Sequence, residues 1–322
     1  MPRENLTDWN NYDSNTNVIP YIIELVKIKD RKIRDQVIWC AGNIAGEGNE
    51  YRDILVERGF VNSLVKSLFG EINYEKRNLS YLRSQTWTLN NFMRRLDPKY
   101  SSVVFQCLPA LKLLLNISDS EIISNTAWCL NYGTRTLRDI ELISFIEFNI
   151  LTPDRMKLLK DGYKISIPFI RTLGNIIAGP NQAAQTVLDL GVLNYMDKLF
   201  ELGDPDITKE LCWIISNIAA GTLQQASTLV SNKKLLDYIV RLLSSTHTIR
   251  KECAYVICNI ASKEIPDWMD YLVNRDCIEL LCENLKSKDT SMLSLVLDSL
   301  FNILKYTSYQ DKVKSIIEET GG

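Results

Sequence analysis

Trp39 and Asn43 stand one helical turn apart in the stretch Q-V-I-W-C-A-G-N-I-A-G-E, residues 36–47. At roughly 100° per residue, Gln36, Trp39, Asn43 and Glu47 fall within about 80° of one another. Val37, Ala41 and Ile44 form a neighbouring, apolar stripe. The first stripe is chemically unusual. A carboxamide carries both donor and acceptor, so it can bond the N–H and C=O of an extended peptide without reading its side chains. Indoles set beside such amides make flat apolar slots. A Lys or Arg stem fits such a slot, and the ring face attracts its cation by roughly 0.5–2 kcal/mol. An acid at the slot end completes a site for a basic side chain. Glu47 lies four residues after Asn43, while Glu210 and Glu252 each lie three before an aromatic.

The pairing recurs down the chain. Trp39/Asn43, Trp87/Asn91, Trp128/Tyr132, Arg171/Asn175, Trp213/Asn217, Tyr255/Asn259 and Asp298/Asn302 share the four-residue offset, and six of the seven end in Asn. The anchors are separated by 48, 41, 43, 42, 42 and 43 residues. A helical period of roughly 40–47 residues is the signature of armadillo or HEAT repeats. No single unit can bury its own apolar faces, so units stack and share a core. The elements between anchors are a short helix, a Gly turn in several units (Gly59, Gly191) and two longer helices, which favours the three-helix armadillo unit. The third helices then carry the Trp/Asn ladder on the concave face. The interval from Thr134 to Ile167 is the least regular, with F-I-E-F-N-I-L-T-P-D-R and no Gly turn.

Composition agrees and excludes much else. The chain has 322 residues, 46% hydrophobic and 24% charged, with a net charge of −2. That balance gives no global field for nucleic acid or an anionic membrane. Eight scattered Cys and one His, with no C-x-x-C pair, argue against zinc, a disulfide framework and any other metal or cofactor site. His247 sits in the polar S-S-T-H-T-I and reads as a surface residue. Trp9 and Trp268 lie off the ladder and read as packing residues, and K-D-R-K-I-R, residues 29–34, reads as a solvated turn. Residues 1–17 read as a flexible polar tail rather than a signal peptide, and residues 18–322 as about seven repeats plus a partial terminal one. No P-loop, G-x-S-x-G or metal cluster suggests an enzyme.

The segments I-W-C-A-G-N-I-A-G-E-G-N-E-Y-R-D, W-T-L-N-N, R-T-L-G-N-I-I-A-G and K-E-L-C-W-I-I-S-N-I-A-A-G closely resemble importin-α, the armadillo adaptor that binds nuclear localisation signals. Arg171 falls where that family has an Arg. The resemblance implies two peptide sites. The major one would use Gln36, Trp39, Asn43, Glu47, Ser84, Trp87, Asn91, Asn125, Trp128 and Tyr132. The minor one would use Arg171, Asn175, Glu210, Trp213, Asn217, Glu252, Tyr255 and Asn259. A bipartite signal would span both, and a short one would prefer the major site. There are departures. Ser84 stands where the family usually has Asn, Asn125 where it has Asp, and Tyr255 where it has Trp. The family's first repeat has no counterpart. Residues 1–17 hold one Arg and no Lys, unlike the family's basic segment for importin-β, which would have to be met by another route. The expectation is an all-α, right-handed armadillo superhelical solenoid. It would be a non-enzymatic import adaptor of cytoplasm and nucleus that binds basic signals, with no direct nucleic acid or membrane partner. The alternative is an armadillo scaffold or signalling adaptor for other peptides.

Overall fold

A computed structural model describes residues 18–74, 78–160 and 162–320. The tail expected at 1–17, with Trp9, lies outside them. So do 75–77 of the polar insert and the last two residues. No strand occurs among the described residues. The chain divides into two compact units, one ending at Thr136 and one beginning at Leu137.

The first unit holds α1 (Ile19–Leu25), α2 (Arg31–Glu47), α3 (Asn49–Glu57), α4 (Phe60–Ile72), α5 (Leu79–Met93), α6 (Ser101–Leu114) and α7 (Ser120–Thr136). Helices α3, α4 and α5 form one complete three-helix repeat. In the next, a 3-10 turn at Pro98–Tyr100 replaces the short first helix. The third helices pack on one another, α2 on α5 and α5 on α7. Leu55, Phe60, Leu64, Leu68, Leu82, Leu89 and Phe92 have no exposed surface, and Phe60 stacks on Phe92 at 5.2 Å. Each such burial contributes roughly 1.5–3 kcal/mol.

The second unit holds α8 (Asp139–Glu147), α9 (Tyr163–Ile177), α10 (Asn181–Asp189), α11 (Leu193–Phe200), α12 (Pro205–Ala220), α13 (Leu223–Ser231), α14 (Lys233–Leu242), α15 (His247–Ala261), α16 (Pro266–Val273), α17 (Cys277–Glu283), α18 (Thr290–Tyr306) and α19 (Gln310–Thr320). Helices α9, α12, α15 and α18 are third helices, each packed on the next. The irregular interval is explained here: a 3-10 turn at Arg155–Lys160 stands where a middle helix would be. Gly59 and Gly191 take φ of 77° and 76°. That left-handed turn, which Gly alone enters without penalty, joins first to second helix.

Most third helices begin on a side-chain cap. Asp30, Asn78, Asp204 and Asp289 each accept two backbone N–H bonds from the first turn, and Asp119 accepts from Ile122. Such caps are worth about 1 kcal/mol each. In these five helices they place the ladder residues at a fixed distance from the helix start; α9 and α15 begin without such a cap. The turn expected at 29–34 is corrected by the same feature. Lys29 and Lys32 stay exposed as expected, but Asp30 caps α2, so Arg31 is already helical and half-buried. Its guanidinium lies 5.1 and 4.6 Å from the ring centroids of Tyr74 and Tyr81 and bonds Glu71. Arg34 bonds the carbonyl of Ile28 and the hydroxyl of Ser67.

Candidate peptide-binding site

The two stripes of residues 36–47 separate as their spacing predicts. Of the apolar stripe, Ala41 is fully buried, Val37 nearly so and Ile44 half-buried, and Ile38 beside them is fully buried. Gln36, Trp39, Asn43 and Glu47 face solvent, Trp39 with 52% of its surface exposed. Helix α2 is the first third helix among the described residues, so no earlier one lies beneath the Trp39 ring as α2 lies beneath Trp87. Trp87, Trp128, Trp213 and Asn91, Asn175, Asn217, Asn259 and Asn302 are half-buried, and Tyr255 is 36% exposed.

The amides are held before any ligand arrives. Asn43 donates from Nδ2 to the Trp39 carbonyl and Asn217 to the Trp213 carbonyl, both at 3.0 Å. Asn91 donates to the Gly42 carbonyl and Asn259 to the Ser216 carbonyl, again at 3.0 Å and each across to the preceding third helix. One amide hydrogen is therefore committed in each case. The other hydrogen and the carbonyl oxygen make no further bond among the described residues. The fixed amide also lowers the ordering cost of binding.

Glycine seats two of the indoles. A Cβ on Gly42 would lie 2.8 Å from Trp87 Cζ3, and one on Gly174 2.1 Å from Trp213 Cζ3. The rings thus lie over the bare backbone of the preceding third helix, beside its ladder Asn. Neither Gly belongs to the four-residue aromatic/Asn pattern. Their signal was a Gly in mid-helix, one before the Asn, where it costs roughly 1 kcal/mol against Ala. At the corresponding place before Asn91 stands Asn90, whose Nδ2 lies 3.3 Å from Asn125 Oδ1. Trp128 instead stacks on Tyr132 with centroids 5.5 Å apart.

The acids are placed unequally. Glu47 is exposed and forms no ion pair among the described residues. Glu210 is held by Arg171, through Nε at 2.9 Å and Nη2 at 2.7 Å. The Arg anchor and the expected slot acid of the next repeat are thus partners, and much of that negative charge is offset. Burial pushes the Glu252 carboxyl above its ordinary pKa. Glu210 raises it further, while Lys209, Ser216 and Lys251 pull it down. A cation brought to Glu252 would relieve that penalty. Ser84 departs from the expectation. Its Oγ is buried and turned to Asp35, whose carboxyl it draws toward a lower pKa. That hydroxyl does not face a ligand. His247 starts α15 with 58% of its side chain exposed, a surface residue as expected. Trp268 is half-buried.

Gln36 through Tyr132 all belong to the first unit, and Arg171 through Asn259 to the second. Each unit thus carries its own set of rungs. No protein-family model matches the chain. It is 32% identical over 288 residues to importin subunit alpha-1b of Oryza sativa subsp. japonica, covering 89% of this chain and 53% of that protein. It is 30% identical over 295 residues to importin subunit alpha-8 of Arabidopsis thaliana, covering 90% and 64%. The chain therefore spans between half and two-thirds of the length of these relatives. Among solved structures, an engineered protein superposes with a TM-score of 0.82 at 22% identity, covering 95% of this chain and 72% of the other, a likeness of fold.

Proposed function

We propose, from the premise that this chain is a homologue of the importin-α family along its armadillo repeats, that it is a nuclear import adaptor. It binds extended Lys/Arg-rich signal peptides along the ladder of its third helices and works between cytoplasm and nucleus. Its relatives are importin subunits rather than enzymes, and the ladder holds no nucleophile–base pair. The observation that carries the reading is the solvent-facing Trp39–Asn43 rung. Its indole has 52% of its surface in water, and its amide is fixed one turn away. The half-buried rungs Trp87/Asn91 and Trp213/Asn217 repeat that pattern.

In this reading the peptide backbone lies against the free halves of Asn43, Asn91, Asn217 and Asn259. Lys or Arg stems enter between the indoles. Glu47 meets a cation in the first unit and Glu252 in the second, while Glu210 stays with Arg171. Central aromatic anchors dominate such interfaces. Trp87→Ala is expected to weaken binding of a Lys-rich signal peptide by at least about 1.5 kcal/mol, roughly tenfold. Calorimetry on a variant whose circular dichroism matches the parent tests this, and unchanged affinity would overturn the site.

A further inference from the structure

A cavity of about 610 Å³ opens in the first unit where the C-terminal ends of α5 and α7 meet the start of α3. Asn49, Arg52, Arg94, Arg95, Tyr132 and Arg135 are among its lining residues. Its charges divide into spent and unspent. Arg52 is fully buried. It bonds Asp53 Oδ1 at 2.9 and 2.7 Å, Asn49 Oδ1 at 3.0 Å and the Arg94 carbonyl at 2.9 Å. Asp97 accepts from the Lys99 backbone and keeps its full negative charge at the rim. Arg94, Arg95 and Arg135 remain. All three are exposed, and none has an ion pair or side-chain hydrogen bond among the described residues.

The ordinary account of Arg at a helix C-terminus is compensation of the helix dipole, worth roughly 0.3–1 kcal/mol. It covers Arg135, in the last turn of α7, and it could cover one Arg at the end of α5. It leaves a further guanidinium in the same cavity. The side-chain bond to a terminal carbonyl there is made by Arg52, not by these three. Three guanidinium groups stand against the single Asp97 carboxylate, which leaves a net positive cleft that a multivalent anion would balance. Guanidinium forks match tetrahedral oxyanions bidentately.

We propose that this cleft binds a phosphate group, supplied by a phosphorylated Ser or Thr beside the basic run of the bound peptide. A phosphomonoester brings about −1.5 to −2 charges and three acceptor oxygens. The cleft is continuous with the ladder. Tyr132 belongs to a rung and also lines the cleft, and Arg94 and Arg95 share an adjoining cavity of about 250 Å³ with Glu47 and Asn91. The source of the phosphate rests on the peptide-binding reading; the chemistry of the cleft does not.

The test uses the full chain and its Arg94→Gln/Arg135→Gln variant in fluorescence anisotropy. The probes are a Lys-rich peptide and the same peptide with phosphoserine at successive flanking positions. At least one placement should tighten binding by about five- to tenfold in the parent. The variant should lose that gain and hold the unphosphorylated peptide within about twofold of the parent. Inorganic phosphate, followed by thermal shift, should stabilise the parent more than the variant. A phosphopeptide gain that survives in the variant overturns the proposal, as does the absence of any gain at every placement. If the unphosphorylated peptide does not bind at all, the import reading falls and the phosphate titration alone decides the cleft. Equal shifts then overturn it; a shift in the parent alone keeps it and makes free phosphate the ligand. Binding of an RNA oligonucleotide that is lost in the variant would reassign the cleft and overturn the proposal.

Discussion

Asp35 lies on the buried side of α2, behind the first rung, with Ser84, Glu71, Arg31 and Arg34 around it. Burial and the Glu71 carboxylate push its pKa up to about 6, while Ser84, Arg31 and Arg34 pull it back. The sign of the linkage follows. A carboxyl whose folded-state pKa is raised costs nothing below its ordinary value near 4. It costs progressively more as pH rises to 6, and the full amount above. Asp35→Asn should therefore stabilise the protein at pH 7.5 by about 2 kcal/mol, with the gain shrinking toward pH 4. Urea unfolding at the two pH values measures this, and a variant less stable at pH 7.5 would show that the ion contacts outweigh burial. Such details were the least legible from the sequence. Nothing in the order of residues says that Ser84 turns inward to Asp35. Nor does it say that Arg171 reaches Glu210 thirty-nine residues on. Both depend on which side chain of the next repeat comes opposite, which the four-residue pattern alone does not encode. The rungs themselves were legible because one helical turn is a fixed rotation.

The third helix is where spacing becomes geometry. In most repeats a cap sets the phase, the apolar stripe sets the rotation, and in α2 and α9 a Gly before the Asn leaves room for the next indole. Gly174→Ala isolates that last part. Alanine gains up to about 1 kcal/mol of helix propensity, yet its Cβ would lie 2.1 Å from Trp213 Cζ3 and 2.9 Å from Cε3 and Cη2. The ring must turn off its seat. The expected outcome is near-parental stability with about tenfold weaker peptide binding in the second unit, read by calorimetry on a Trp87→Ala background. The three-helix unit and its Gly turns could be read from the sequence. The 3-10 turns at Pro98–Tyr100 and Arg155–Lys160 could not, because prolines and short apolar runs fit a helix start as well as a turn. Asp30, Asn78, Asp119, Asp204 and Asp289 were legible in principle as a recurring start signal, yet Lys29 to Lys32 read as a charged turn because its cations hid the cap.

At the scale of the whole chain, a net charge of −2 leaves the proposed peptide capture to local groups rather than to a global field. With rungs on both units, a short basic peptide in excess should saturate at two per chain. Trp87→Ala should remove the first-unit event and Trp213→Ala the second, as separate transitions in calorimetry. One event abolished by either variant would mean a single site. The cross-repeat bonds have a further consequence. Asn91 to Gly42 spans 49 residues, Asn259 to Ser216 spans 43, Arg171 to Glu210 spans 39 and Arg83 to Asp119 spans 36. Each therefore closes a loop of about one repeat, so the entropy of closure is similar everywhere. Folding of such a chain can nucleate in any repeat and spread to its neighbours, at the rates of low contact order. A rung that opens thermally recloses against the repeat beside it, without waiting for distant parts of the chain.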